Sequence, residues 1–65
     1  MIALKQMRER KKITQVELAN KVKVNPAAIS QYEKGKREPR IETLVAISEA
    51  LDCTIDELVK GEQNG

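Results

Sequence analysis

Sixty-five residues, 40% of them hydrophobic and only one aromatic (Tyr32), allow a single small domain with an aliphatic core, near the lower size limit for folding without disulfides or metal. With no histidine and one cysteine, Cys53, the chain lacks the commonest general base, a zinc ligand set and any internal disulfide. The net charge of +2 hides an asymmetry: residues 1–40 hold eleven Lys and Arg against four acids, whereas residues 41–65 hold Lys60 against six.

The spacing predicts a first helix from Ile2 to Lys11, with Leu4, Met7, Arg8 and Lys11 on one stripe. Leu4 and Met7 are ordinary core residues, but a buried Arg8 must be paired. Lys12 and Ile13 make a short bend, with Ile13 turned to the core beside Thr14. Thr14 followed by Glu17 is a capping box: the hydroxyl takes an orphan amide and the carboxylate reaches back to the cap amide. In the helix it opens, Val16, Ala19 and Val22 fall at core spacing. Asn25-Pro26 opens a third helix, because Asn caps well and Pro at the first position needs no N–H partner. Ile29, Tyr32 and Glu33 share its inner face, and Gly35 stops it. At 100° per residue the opposite face holds Ala27, Gln31 and Lys34, with Ser30 on its flank. Two short helices joined by Val22-Lys23-Val24 make a helix-turn-helix, whose second helix can lie in a DNA major groove.

Residues 36–40, KREPR, form a polar connector in which Pro39 blocks helix continuation. A fourth helix is predicted from Ile41 to Leu51, burying Ile41, Leu44, Ile47 and Leu51. Asp52-Cys53 is a tight connection. Thr54 with Glu57 is a second capping box, opening a short helix with Ile55, Leu58 and Val59 that stops at Gly61. Residues 62–65 read as a flexible tail, so one domain spans residues 1–61. Asp52, Asp56 and Glu57 do not match a calcium loop, and no glycine-rich phosphate loop is present, so no enzyme, metal or cofactor is expected. No run approaches the ~20 apolar residues of a membrane span and no signal-peptide pattern opens the chain, so a cytoplasmic, nucleoid-associated protein without membrane contact is expected.

Gln15, Glu17, Leu18, Ala19, Val24, Ile29, Ser30, Gln31, Glu33 and Gly35, continued by IETLVAISEALDCTIDELV, carry a resemblance to the Cro/CI-type (XRE) repressor family over nearly the whole chain. The resemblance implies an all-α, five-helix lambda-repressor-like domain with a central helix-turn-helix. It further implies a DNA-binding transcriptional regulator, a repressor that binds operator DNA as a homodimer, with no attached sensor domain and no small-molecule ligand. The family's base-contacting positions fall at Pro26, Ala27, Ser30 and Gln31. Gln31 can pair bidentately with adenine, Ser30 can serve several bases, and Ala27 can pack on a thymine methyl. Pro26 offers no side-chain hydrogen bond, so part of the specificity is assigned to DNA shape. Phosphate contacts are expected from Thr14, Gln15 and Asn25 at helix N-termini and from Lys34, Lys36, Arg37 and Arg40 around the connector.

The family also pairs the positions of Arg8 and Glu33, which implies an ion pair between them. It usually carries Gly where this chain has Lys23, and Ser or Thr where it has Arg40. A lysine held in the left-handed conformation costs about 1–2 kcal/mol. The basic part faces DNA, so a dimer interface is expected in the acidic part, at Cys53, Ile55, Leu58 and Val59. Two alternatives stay open: an antitoxin that binds its promoter and a toxin, and an interaction module that sequesters a related repressor. The clustered cations of residues 36–40 argue against the second.

Overall fold

Three of the helices start where a side chain satisfies an orphan first-turn amide, and four stop where the backbone turns left-handed. In the computed structural model, which describes residues 3–61, the result is α1 (Leu4–Arg10), α2 (Gln15–Val22), α3 (Pro26–Glu33), α4 (Ile41–Ala50) and α5 (Ile55–Lys60), with no strand among the described residues. The expected all-α, five-helix architecture is therefore present. The expected start at Ile2 and the tail at residues 62–65 lie outside the described residues.

Both capping boxes form. Thr14 Oγ1 accepts from the Glu17 amide at 3.0 Å while Glu17 Oε1 accepts from the Thr14 amide at 2.9 Å. The corresponding distances at Thr54 and Glu57 are 3.1 and 2.9 Å. Asn25 Oδ1 accepts from the Ala27 amide at 2.8 Å. Arg40 makes no side-chain cap on α4, as its chemistry requires.

The ends of α1 to α4 share one geometry. A left-handed residue lets the next amide reach back five residues: Ile13 to the Arg8 carbonyl (3.2 Å), Val24 to Ala19 (3.0 Å), Lys36 to Gln31 (2.9 Å) and Cys53 to Ser48 (3.0 Å). The left-handed residues are Lys12, Lys23, Gly35 and Asp52, with φ of 58°, 60°, 73° and 53°. Three of the four following residues, Ile13, Val24 and Cys53, pack against the core, the hydrophobic contact that accompanies this termination. The fourth, Lys36, stays at the surface. Lys23→Gly should raise stability by about 1 kcal/mol, the left-handed penalty less glycine's own entropy cost. For a domain of this size the melting temperature should rise by about 4–8 °C. A scanning calorimetry trace that stays put or moves down would contradict the strain.

Leu4, Leu18, Ile29, Ile47, Leu51 and Leu58 form the fully buried centre, joined by Ala3, Met7, Ala19, Ala28 and Tyr32. α2 packs on α3 and α4, and α1 on α3 and α5. The start of the described segment is tied to α5, because the Ala3 amide donates to the Leu58 carbonyl at 3.2 Å. Among the described residues no helix is long and apolar enough to cross a membrane.

Several expected faces are rotated. On α2, Leu18 and Ala19 are buried and Val22 half-buried, but Val16 is 54% exposed. The inward stripe is Gln15-Leu18-Ala19-Val22: Ala19 and Val22 lie on it as expected, but it begins one position before Val16 and so places the polar Gln15 on the inner flank. Lys11 is exposed and caps α1 instead of extending it; its ammonium lies 3.7 Å from the Asp52 carboxylate. Ile41 is 63% exposed in the first turn of α4, where it lies ahead of the buried layer formed by Ile47 and Leu51. Leu51 is the C-cap of α4 and not its last residue.

Candidate nucleic-acid interface

The α2–α3 unit turns one row of α3 outward. Ala28, Ile29 and Tyr32 anchor α3 in the core, which leaves Ala27, Gln31 and Lys34 exposed at spacings of four and three, with Ser30 half-buried beside them. Pro26 is exposed at the first helical position. Sequence reasoning therefore placed the outward row of α3 correctly. The row presents one carboxamide, one hydroxyl on its flank, one ammonium and a methyl group.

At the α2 N-terminus the first-turn amides are divided. Glu17 donates to Thr14 Oγ1 and Leu18 donates to the Thr14 carbonyl at 3.0 Å. The amides of Gln15 and Val16 have no hydrogen-bond partner among the described residues, so two N–H groups and the positive end of the helix dipole remain for an anion. The Thr14 amide is taken by Glu17, whose carboxyl lies below the ordinary glutamate range because the Thr14 amide and hydroxyl hydrogen-bond to it. Asn25 spends its side-chain oxygen on the Ala27 amide, leaving only its NH₂ to donate elsewhere.

Beneath this corner lies an ion pair. Arg8 Nε donates to Glu33 Oε2 at 2.6 Å and Arg8 Nη2 donates to Glu33 Oε1 at 3.3 Å. The two side chains retain 10% and 5% of their exposure. The hydrogen bond that Arg8 donates to Glu33 raises the Arg8 pKa above its ordinary value, and burial opposes that rise without cancelling it. Arg8 Nη1 also donates to the Ile13 carbonyl at 2.8 Å, and Gln15 Nε2 donates to Glu33 Oε1 at 2.9 Å. Sequence reasoning reached the Arg8–Glu33 pair but missed Gln15 as its third member. The signal was the Gln15-Leu18-Ala19-Val22 spacing.

Lys34, Lys36, Arg37 and Arg40 are all exposed around the connector, and none has an ion-pair partner among the described residues. Glu38 is the one acid among them. These cations lie at the end of α3 that follows Glu33 and begin one residue beyond the carboxylate that holds Gln15.

The four residues expected at a dimer interface separate. Leu58 is 0% exposed and belongs to the core, so it cannot present a side chain to a partner. Cys53 is half-buried at the α4 termination, where burial first, then Glu57 and Asp52, push its thiol pKa up. Ile55 is half-buried, and Val59 is 48% exposed. Ile41 and Val45 are exposed on α4, which packs against α5, and sequence reasoning missed both as surface residues. Each pair, Ile41 with Val45 and Ile55 with Val59, is four residues apart and so shares a helix flank.

The fold and its helix-turn-helix are shared with known proteins. Residues 4–58 match the family model described as Helix-turn-helix. The chain is 46% identical over 61 residues to the uncharacterized HTH-type transcriptional regulator YqaE of Bacillus subtilis, covering 94% of this chain and 53% of YqaE. It is 45% identical over 60 residues to the HTH-type transcriptional activator BcrR of Enterococcus faecalis, covering 92% of this chain and 29% of BcrR. The chain thus spans about half or less of these relatives. Among solved structures, the P22 c2 repressor protein in complex with a synthetic operator superposes with a TM-score of 0.84 at 42% identity, covering 91% of this chain and 89% of that one.

Proposed function

We propose, from the premise that this chain belongs to the helix-turn-helix family of Cro/CI-type transcriptional regulators, that it binds operator DNA as a homodimer with α3 in the major groove and represses transcription. The family is one of DNA-binding regulators and not of enzymes. The observation that carries the proposal is the outward row of Ala27, Gln31 and Lys34 on α3, flanked by the α2 N-terminus and the cations of residues 34–40. Gln31 reads adenine through two hydrogen bonds, Ala27 packs on a thymine methyl, and Ser30 makes one adaptable contact. Thr14, Gln15, Asn25, Lys34, Lys36, Arg37 and Arg40 contact phosphates, which set register and supply affinity. Repression needs only occupancy of the operator, whereas activation needs a further contact to the transcription machinery. The P22 c2 repressor, bound to its synthetic operator, supports this assignment. A cytoplasmic protein at the nucleoid follows from it.

Selection of bound sequences from a random duplex pool tests the proposal. The expected result is an inverted repeat whose half-sites are about 10–10.5 bp apart, the spacing of two recognition helices on successive turns. A pool that stays random after selection, despite binding, would remove sequence-specific readout.

A two-fold dimer also needs a surface away from DNA. The apolar flanks Ile41-Val45 and Ile55-Val59 on adjoining α4 and α5 support placing it there, with Val59 the most exposed of the four residues expected at the interface. Val59→Asp should give monomers in sedimentation velocity with helical content intact, because the side chain already meets solvent. Intact dimers in Val59→Asp would move the interface elsewhere.

A further inference from the structure

We propose that Glu33 is a positioning residue for DNA binding: through its hydrogen bond to Gln15 it holds the α2 N-terminal corner in its phosphate-contacting geometry before DNA arrives. This inference rests on the proposed function and gives Glu33 a role that requires no contact of its own with DNA.

The corner consists of Ile13, Thr14 and Gln15, and the ion pair grips it on both sides of Thr14. Arg8 Nη1 takes the Ile13 carbonyl at 2.8 Å, and Glu33 Oε1 takes the Gln15 carboxamide at 2.9 Å. Glu33 itself is held by two Arg8 nitrogens. The orientation of the Gln15 carboxamide is decided by charge: a carboxylate only accepts, so Nε2 and not Oε1 must face it. One Nε2–H is thereby spent on Glu33. The planar carboxamide then fixes the direction of the second Nε2–H relative to Glu33, on a residue whose own amide is unpartnered. Arg8 neutralises Glu33, so the buried carboxylate orients a donor without presenting a net charge to a phosphate. A glutamine left loose at a helix start would instead lose its rotamer freedom on binding.

The ion pair can be removed without leaving a lone charge. Arg8→Met with Glu33→Leu replaces both partners by apolar side chains of similar volume, an exchange that is often neutral or stabilising. It removes the acceptor that holds Gln15. This double variant is expected to fold and to bind both selected and random duplexes about two- to tenfold more weakly per half-site, the cost of ordering one long side chain at binding. Its salt slope should equal that of the wild type, because Arg8 and Glu33 neutralise each other and no phosphate-facing cation is removed. Gln15→Met, which deletes the carboxamide and keeps the ion pair, should weaken both duplexes at least as much and also leave the slope unchanged, because a neutral carboxamide displaces no counterion. In the free wild-type protein, the Gln15 side-chain amide protons should exchange with water more slowly than those of the exposed Gln6 and Gln31. A folded double variant with wild-type affinity for both duplexes would overturn the role, and so would Gln15 protons exchanging as fast as those of Gln6 and Gln31. If the double variant does not fold, the exchange comparison decides alone. If the wild-type protein binds no duplex, the proposed function itself falls and this role with it.

Discussion

Glu33→Ala should leave the domain largely unfolded near body temperature. Arg8 and Glu33 are both almost fully covered, and each supplies the other's charge. Removing one partner strands a buried charge at a cost of about 3–5 kcal/mol. A domain of this length has about 3–10 kcal/mol in total, at roughly 0.05–0.15 kcal/mol per residue. The loss therefore takes a large share of what exists, and Gln15 loses its acceptor in the same step. Thermal denaturation followed by far-UV circular dichroism reads the effect directly. The contrast with Arg8→Met/Glu33→Leu is informative, since deleting both charges should cost far less than deleting one. A Glu33→Ala melting curve superimposable on that of the wild type would show that the pair does not hold α1 against α3.

The second large effect separates reading from holding. Gln31 is the one side chain in the outward row of α3 that offers a base edge both a donor and an acceptor. Gln31→Ala should weaken binding to the selected operator by about 1–3 kcal/mol per half-site and relax preference at one base pair, while binding to random DNA barely changes. Arg37 lies in the connector beyond the C-terminal end of α3, away from the N-terminal end that the proposed function places in the groove. Arg37→Ala should weaken operator and random DNA about equally. It should also flatten the salt slope by roughly 0.9 for each phosphate that Arg37 no longer neutralises, one in each half-site. Fluorescence titrations of both variants on both duplexes at several salt concentrations distinguish these patterns, whereas a single affinity would not. Equal losses on both duplexes for Gln31→Ala would mean that α3 does not read bases through this residue.

Helix boundaries were legible in the sequence because the bonds that set them are local. Thr14 with Glu17, Thr54 with Glu57, and Asn25 with Ala27 close over two or three residues, so spacing alone specifies them. The Arg8–Glu33 pair bridges 25 positions, yet it was legible too, because a charge on each of two core stripes demands a partner and the family resemblance implied which one. The outward row of α3 followed from the apolar anchors opposite it. Only the tertiary structure decided which neighbouring stripe of α2 faces inward. A side chain one position along points 100° away, and the docking of α3 and α4 against α2 selects between Gln15 and Val16. The same choice left Ile41 in solvent and drew Leu58 fully inside, since residues of one type on a short helix are separated only by what packs against them. Gln15 joined the ion pair unannounced for a related reason: a neutral carboxamide carries no charge that obliges a partner, so its hydrogen bond exists only once α2 and α3 are in place.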